Sequence, residues 1–459
     1  MDFSHTISID VGTTNLKLSR FNQQLQFEKE WIHRYSKIQS DESRYELNWN
    51  ELRDALLKGI RKLMPETPYR IVLTTAMHSI LLRDDKHQDV TEIITWADKR
   101  GHKELLQFDN AFKEKLYLET GTPIHSMNPF YKLSYGAKQS YWDSVTKVYS
   151  IKDLIFELLT GEWWIDVSNA SSYGIYDNKK GQWSERALNS LRLKIEQLPK
   201  VKACDSSAPI LYNLNLGQGI VVLGTSDGVS SNYAYRSLSN YAVLSFGTSH
   251  AVRILTNKNV VSLKSMNFSY KIDETNYLVG FPSNNAGNVL DWICKVYQTN
   301  FEELEQIALT GYPLKLVFLP FLNGERAPLW TEGEVSRLIG LERFHTRENI
   351  LFAMLCGLFY NVRNNVENLQ ALHHFNGIAL TGGLIQSRNL VQLMTNILGM
   401  PVLIASENSA ECLGTILLVD DLNFPIDYEI VEPDFECHRK FDENYQNYLI
   451  ELSKINHTR

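Results

Sequence analysis

SIDVGTTN, at residues 8–15, is the stretch from which the fold of this chain can best be predicted. A short apolar run ends at Asp10, and the glycine and two threonines of the turn follow it. These residue types are common in turns, so an ordinary hairpin is one interpretation. The other is a phosphate-binding turn, because glycine leaves backbone N–H groups uncovered and threonine hydroxyls donate to phosphate oxygens. The aspartate could then reach a Mg²⁺ ion bound to those oxygens.

A similar stretch, LSFGTSHAVRI at residues 244–254, lies in the second half of the chain. Both stretches have the pattern of an apolar strand, a Gly-Thr-Thr or Gly-Thr-Ser turn, and a second strand. Gly12 and Gly247 are separated by about half of the 459 residues. The repeat predicts two related domains, 1–236 and 237–459, that face a shared cleft and grip one nucleotide's phosphates from both sides.

The rest of the chain alternates between strand-like and helix-like patterns. Residues 70–75, 220–223 and 375–380 are short apolar runs typical of strands. Residues Trp49–Leu63 carry an apolar stripe at helical spacing. This alternation predicts an α/β fold.

Composition excludes several classes of protein. Hydrophobic residues make up 44% and charged residues 22% of the chain, as in globular proteins. The net charge is −7, and Lys and Arg are scattered along the sequence, which argues against nucleic-acid and membrane-surface binding. We expect no signal peptide, and no apolar run approaches the ~20 residues of a membrane span. The sequence has five cysteines: Cys204, Cys294, Cys356, Cys412 and Cys437. Their odd number and the absence of metal-ligand spacing favour a reduced, cytoplasmic protein.

Asp227, in VLGTSDGVSSN, is the strongest candidate for chemistry. An apolar strand leads into a turn of small residues, and a carboxylate placed over a cleft can accept the proton of a sugar hydroxyl that attacks a phosphoryl group. The alternative is an N-cap aspartate that begins a helix. The two roles are compatible, because a cap position also fixes the carboxylate.

Polar and aromatic residues in the first third are typical of a pocket for a polyhydroxylated ligand. They are Met77 and His78 in TTAMHS, Trp96, Asp98 and Arg100 in ITWADKR, and His125 and Lys132 in GTPIHSMNPFYK. Each also has a structural interpretation. A lone histidine or tryptophan can belong to the core, and Asp98 with Arg100 can be a surface ion pair.

A third glycine turn, LTGGLIQS at residues 380–387, lies between a predicted strand and a predicted helix. A ligand there could meet helix N–H groups, although a simple strand–helix turn is the alternative. The GxxxxGK[ST] and strand-linked GxGxxG phosphate motifs do not occur in the sequence.

From residue 7 to about residue 419 the chain resembles the FGGY carbohydrate kinases, and within them most closely the gluconate kinases. The matching motifs, in order, are IDVGTT, TTAMHS, ITWADKR, TGTPIHSMNP, SIKDLIFELLTGEWWIDVSNAS, GTSDGV, SFGTS, NNAG, LPFLNGERAPLW, LTGG and ECLG. The resemblance implies two actin-like (ribonuclease H-like) domains with the active site in the cleft between them. It also implies the use of ATP and Mg²⁺.

The resemblance implies roles for the matching residues. Asp10 would help to hold the metal, and Asp227 would be the general base. Phosphate binding is implied for Gly12, Thr13, Thr14 and Lys17, although a lone strand lysine is usually solvent-facing. Nucleotide binding is implied for Gly247, Thr248, Ser249, Gly287, Asp291, Gly382, Gly383 and Ser387, and sugar contact for Met77, His78, Trp96 and Asp98. Arg100 and Lys132 are the candidate cations for a substrate carboxylate.

The implied function is phosphorylation of a primary hydroxyl of a small open-chain sugar acid, D-gluconate to 6-phosphogluconate. A kinase for D-xylulose or another sugar or polyol is an alternative, as is a nucleotide-binding sugar sensor without turnover. The expected partner is a small sugar or sugar acid, and a homodimer is common in the resembled family. His250, Cys356 and Tyr135 depart from the usual family residues, and His250 is expected to tighten or bend the ATP-side turn.

Overall fold

The structure is a computed structural model that describes residues 3–36, 43–238, 240–333, 336–405, 410–422 and 427–456. Statements about the fold refer to these residues. The side chains of residues 410–412 and 456 are not described, so the ECLG motif is only partly covered. The described cysteines are free thiols: Cys204, Cys294, Cys356 and Cys437.

The first half of the chain contains 14 described strands and eight described α-helices. The strands are β1 (His5–Val11), β2 (Asn15–Asn22), β3 (Phe27–Arg34), β4 (Glu46–Leu47), β5 (Tyr69–Thr75), β6 (Leu81–Asp84), β7 (Ile93–Ile94), β8 (Val145–Tyr149), β9 (Trp164–Asp166), β10 (Tyr176–Asp177), β11 (Gln182–Trp183), β12 (Lys200–Lys202), β13 (Ser207–Pro209) and β14 (Gly219–Ser226). The helices are α1 (Trp49–Leu63), α2 (His102–Leu105), α3 (Asn110–Thr120), α4 (Pro129–Gly136), α5 (Ile151–Thr160), α6 (Val167–Ser171), α7 (Glu185–Leu191) and α8 (Asp227–Tyr233).

The second half contains nine described strands and six described α-helices. The strands are β15 (Tyr241–Phe246), β16 (His250–Thr256), β17 (Phe268–Lys271), β18 (Tyr277–Ser283), β19 (Val317–Leu319), β20 (Arg337–Ile339), β21 (Gly377–Thr381), β22 (Val402–Ala405) and β23 (Tyr428–Val431). The helices are α9 (Gly287–Tyr297), α10 (Phe301–Thr310), α11 (Arg347–Leu372), α12 (Arg388–Leu398), α13 (Ala410–Val419) and α14 (Phe435–Asn456).

The two large sheets have the same topology. The first has the order β13-β14-β5-β1-β2-β3, and the second, from the corresponding edge, β23-β22-β21-β15-β16-β18-β17. In each, an antiparallel hairpin is followed by two strands parallel to its first strand and by an antiparallel edge strand. The predicted repeat and the α/β fold of two actin-like halves are therefore confirmed. Strand β17 is an addition at the edge of the second sheet.

Helices cover the sheets through apolar faces. Helix α1 has the predicted bounds, is capped by Asn48, which accepts a hydrogen bond from the N–H of Glu51, and buries its leucine stripe in the first core. Helix α11, of 26 residues, is buried along most of its length in the second core. Among the described helices, none is long and apolar enough to cross a membrane.

Helix α13 belongs to the second half of the sequence but packs on the first sheet. Its Leu413, Ile416 and Leu417 join Phe21, Val72 and Val222 in one apolar cluster. Asp420, the residue after α13, accepts two hydrogen bonds from Arg70 of β5, at 2.6 and 2.5 Å. Helix α13 thus belongs to the second half by sequence but to the first half by packing. The domain boundary between residues 236 and 237 stays a proposal.

Candidate active site

Three parallel strands of the first sheet end side by side. Val11 of β1 pairs with Thr75 of β5, and Thr75 pairs with Ser226 of β14. The GTT turn, the MHS segment and Asp227 follow these three strand ends. They therefore lie along one edge, the carboxyl edge at which α/β sheets bind ligands.

The first hairpin turn is closed by the N–H of Gly12, which donates to the carbonyl of Asn15 at 3.0 Å. Behind the turn, Asp10 and Lys17 are directly opposite each other in the β1–β2 register. The Lys17 ammonium lies 2.8 Å from the Glu30 carboxylate. The turn thus has a carboxylate and an ion-paired lysine at its base.

The second hairpin turn is closed by the N–H of Gly247, which donates to the carbonyl of Ser249 at 3.0 Å, two residues on instead of three. The start of helix α9 is bound to this turn: Gly287 N–H donates to the Gly247 carbonyl at 2.9 Å, and Asn288 N–H to the Thr248 carbonyl at 3.2 Å. The helix N-terminus therefore lies beside the hairpin. Its positive end adds to the turn N–H groups in favouring a phosphate.

His250 lies behind the second turn, and its ring is buried. Nδ1 is 2.9 Å from the Asn285 carbonyl, and Nε2 is 3.2 Å from the Asn365 amide nitrogen on α11. Burial lowers the pKa of His250 to about 4, so the neutral ring donates from Nδ1 and accepts at Nε2. Phe246 pairs directly with His250, whereas Val11 pairs with Leu16, so the second turn is one residue shorter and tighter, as expected from the sequence. The histidine also joins the hairpin to α11.

The TGG turn after β21 approaches the second hairpin. Gly382 has φ of 91°, and a Cβ there would lie 2.3 Å from the carbonyl oxygen that ends β15, so this approach requires glycine. A Cβ on Gly383 would have no atom within 4 Å, which leaves its side open to a ligand. Ser387 donates to a carboxylate of α10 at 2.5 Å, and Asp291 is exposed on α9.

Asp227 is the first residue of α8, and Ser226 occupies the N-cap position. The aspartate is therefore not the cap itself. Its Oδ1 accepts from the N–H of Gly228 at 2.7 Å. A Cβ on Gly228 would lie 2.8 Å from Met77 Cε and 3.6 Å from Arg253 Nε, so both halves of the chain meet beside Asp227.

Lys152 of α5 supports the strand that leads to Asp227. It is fully buried, and its Nζ donates to the main-chain carbonyls of Leu73 at 2.7 Å, Leu223 at 2.6 Å and Thr225 at 3.0 Å. These bonds span the bulge in β14. The sequence analysis missed this residue, although a lysine within the apolar helix pattern IKDLIF was a signal.

His78, one of the expected sugar-binding residues, has both ring nitrogens engaged. Nδ1 donates to the Ser172 carbonyl at 2.6 Å, and Nε2 lies 3.3 Å from the Tyr270 hydroxyl of the second half. Burial, assisted by the charge of Lys132, lowers the pKa of His78 to about 3. The imidazole is therefore neutral.

Asp98 and Arg100 form a buried pair, so the surface-pair interpretation is wrong. Asp98 is fully buried and accepts from the N–H of Tyr45 at 3.0 Å and from Arg100 Nε at 3.0 Å. Arg100 Nη2 also donates to Glu46 at 2.6 Å. Although burial opposes it, the bonds and charges of these two carboxylates raise the pKa of Arg100. Its guanidinium is already paired inside the protein.

Lys132 differs from Arg100 in its pairing. It is 2% exposed, and within the described chain its Nζ has a single hydrogen-bond partner, the Thr95 carbonyl at 2.5 Å. Burial lowers the pKa of Lys132 to about 7. The site thus contains a buried amine with donors to spare.

Residues of the second half complete this cluster, and sequence reasoning assigned them no role. The guanidinium carbon of Arg326 lies 4.9 Å from the ring centroid of Trp96. Glu332 contacts the hydroxyl of Ser126 and lies 3.1 Å from Nε2 of His125. The signal for Arg326 was a charged pair inside the apolar motif LPFLNGERAPLW.

Two family models match this chain in order. The model of the N-terminal domain of the FGGY family of carbohydrate kinases covers residues 5–232, and that of the C-terminal domain covers residues 242–419. The chain belongs to the FGGY family of carbohydrate kinases. This FGGY kinase is therefore a phosphotransferase with an alcohol group as acceptor, and the family implies ATP as donor. The sugar-sensor alternative is set aside.

Known relatives of this FGGY kinase include a gluconokinase of Bacillus licheniformis, 29% identical, with 90% of this chain and 87% of the relative covered. The crystal structure of a gluconate kinase from Lactobacillus acidophilus has a TM-score of 0.93 at 26% identity, with 98% of both chains covered. A ligand-bound xylulose kinase from the same organism matches with the same score, identity and coverage. Similarity alone therefore does not choose between a sugar acid and a neutral sugar.

Proposed function

We propose that this FGGY kinase transfers the γ-phosphoryl group of ATP to the primary hydroxyl of a small open-chain sugar acid, converting D-gluconate to 6-phosphogluconate. The supporting observation is Lys132, a buried amine with a single acceptor among the described residues. A buried ammonium is destabilising unless it is paired. A carboxylate on the substrate would supply the partner that the protein itself does not.

Lys132 is preferred over Arg100 as this anchor because of their different pairing. Arg100 is held by Asp98 and Glu46, so a substrate carboxylate would have to compete with two protein carboxylates. Lys132 keeps unused donors: its single described acceptor is the carbonyl of Thr95, the residue before Trp96, and its charge acts on the neutral His78. An acid end bound there leaves the opposite hydroxyl end for Asp227.

Asp227 would act as the general base. The N–H of Gly228 orients its carboxylate, and Lys152 fixes the strand end behind it. The carboxylate would take the proton of the primary hydroxyl as that oxygen attacks the phosphoryl group, a role that contributes about 10²–10⁴-fold to such reactions. Positioning and electrostatic stabilisation by the two hairpins and α9 would supply most of the remaining acceleration.

The residues around the hairpins fit ATP with Mg²⁺. The described residues hold no cluster of three or more His, Cys, Asp or Glu side chains suited to a metal, and Mg²⁺ bound to phosphates needs only one or two protein carboxylates. Asp10, at the base of the first turn, would provide one. When bound, Mg²⁺ neutralises charge on the phosphates. The open side of Gly383 leaves room for the nucleotide.

A substrate panel tests the proposal. The purified protein is assayed with ATP and D-gluconate, other sugar acids, D-xylulose and polyols by coupled ADP detection, with a reaction lacking sugar as control. We expect the highest kcat/KM for D-gluconate and phosphorylation at its primary hydroxyl. A higher kcat/KM for a neutral sugar would contradict the acid specificity and support the xylulokinase-like alternative.

A further inference from the structure

Arg326 reaches the sugar-site cluster from the second half of the chain. Its guanidinium lies over Trp96, and its Nη2 donates to the Ser283 carbonyl at 2.7 Å. Its Nε is buried and has no hydrogen-bond partner among the described residues. A buried, unpaired N–H on a cation is costly, and it points to an acceptor that arrives with the ligand.

Arg326 and Lys132 both lie near the cluster that contains Trp96, His78 and His125. Lys132 donates to the carbonyl of Thr95, the residue before Trp96, and the Arg326 guanidinium lies over the Trp96 ring. The positive charges of both also lower the pKa of His78 and that of His125. The two rings are neutral, because burial lowers the pKa of His78 to about 3 and that of His125 to about 4. The cluster therefore holds a cation from each half of the chain. The charges of Asp98, Arg100 and Glu332 act on Lys132, and those of Glu325 and Arg253 act on Arg326.

Arg326 is also connected to the ATP side. Segment 283–287 begins with the carbonyl that accepts from Arg326 Nη2, and it ends with Gly287, whose N–H donates to the Gly247 carbonyl of the second hairpin. Between these ends, the Asn285 carbonyl accepts from the ring of His250. A shift of the Arg326 guanidinium would therefore be transmitted through five residues to the phosphate hairpin.

We propose that Arg326 is a substrate-binding, specificity-determining residue that holds the carboxylate of the sugar acid from the second half while Lys132 holds it from the first. Binding of the acid then draws the two halves together, and the connection through segment 283–287 makes acid binding and ATP binding mutually favourable. The inference rests on the proposed function, because it requires an anionic acceptor. It adds to that function a residue of the second half and a coupling between the two substrates.

The experiment uses Arg326→Gln and Arg326→Lys in the full chain. The matched control is Arg363→Gln: Arg363 also lies over an aromatic ring, that of Tyr445 at 4.1 Å, and is 7% exposed, but it is paired with Glu367 and Asp442 away from the cleft. Calorimetry gives the Kd of D-gluconate with and without a non-hydrolysable ATP analogue. Steady-state assays give KM for gluconate, for a neutral sugar and for ATP.

We expect Arg326→Gln to raise the gluconate Kd about 10- to 100-fold, the range for a lost hydrogen bond to a charged group. KM for the neutral sugar should change less than about threefold, and the effect of the ATP analogue on gluconate binding should disappear. Arg326→Lys should lie between, because lysine keeps the charge but not the planar fork. Arg363→Gln should leave the Kd and the coupling unchanged.

Several results would overturn the inference. An unchanged gluconate Kd in folded Arg326→Gln would overturn the inference but leave the proposed function intact. An equal loss of affinity for acid and neutral sugars would have the same two consequences. If Arg326→Gln does not fold, the same criteria apply to Arg326→Lys. A parent protein that prefers a neutral sugar overturns both proposals, and the substrate panel shows this before any variant is made.

Discussion

Replacing Lys132 by methionine should stabilise this kinase while removing its preference for an acid. Methionine is similar in size and carries no charge. Burial lowers the pKa of Lys132 from 10.5 to about 7. At about 1.36 kcal/mol per pH unit, the charged form opposes folding by about 5 kcal/mol. Leaving the Thr95 carbonyl unpaired costs about 1–3 kcal/mol, so the variant should gain about 2–4 kcal/mol at neutral pH.

The sign of the pH dependence follows from the direction of this pKa change. Between about pH 7 and 10.5 the unfolded chain holds the Lys132 proton and the folded chain does not, so stability rises with pH across that window. The full penalty is present below about pH 7. The gain in Lys132→Met should therefore be largest at pH 6 to 7 and should shrink towards pH 10.5. Urea unfolding at several pH values measures it.

Lys152→Met is the control, because this second buried lysine is fully bonded. Its substitution leaves three carbonyls without their donor and Asp166 without a cation, so we expect a loss of about 3–5 kcal/mol. In Lys132→Met, KM for gluconate should rise at least tenfold, while KM for a neutral sugar stays within a few-fold. If Lys132→Met is destabilised as much as the control and gluconate kinetics are unchanged, the reasoning is refuted.

Three further predictions concern the catalytic edge. Asp227→Ala should lower turnover at least ~10²-fold in the coupled ADP assay with little change in substrate affinity; near-normal turnover would exclude it as base. His250→Ala leaves the Asn285 carbonyl and the Asn365 amide without their partner, so thermal unfolding should show a loss of about 2–4 kcal/mol and KM for ATP should rise more than KM for the sugar. For the parent enzyme, kcat/KM for gluconate should fall above about pH 7, because Lys132 loses its proton there. The charged groups that act on Lys132 are Asp98, Arg100 and Glu332. A pH profile for gluconate as flat as that for a neutral sugar would contradict this prediction.

The elements that were predicted from sequence are those that depend on local signals. The two Gly-Thr hairpins form around the predicted turns, and helix α1 has the predicted bounds. Apolar periodicity and turn chemistry act over a few residues, so they can be recognised along the chain. The repeat of one hairpin in each half predicted two related domains, and the two large sheets have the same topology.

The tertiary structure decided which polar groups meet, because those contacts join residues far apart in the chain. A surface pair was one interpretation of Asp98 and Arg100, yet Glu46 and the main chain of Tyr45 bond to them inside the protein. An apolar helix pattern does not specify the sheet it covers, so the packing of α13 on the first half could not be predicted.

The hairpins and the cations around the site differ in how far the sequence alone could predict them. SIDVGTTN and its repeat by themselves determined that each half would contain a glycine turn between two paired strands, since turn geometry depends on adjacent residues. The sequence could not choose between Arg100 and Lys132 as an anchor, and it gave Arg326 no role. Only the folded chain shows which charges already have a partner, because burial and pairing arise when distant segments come together.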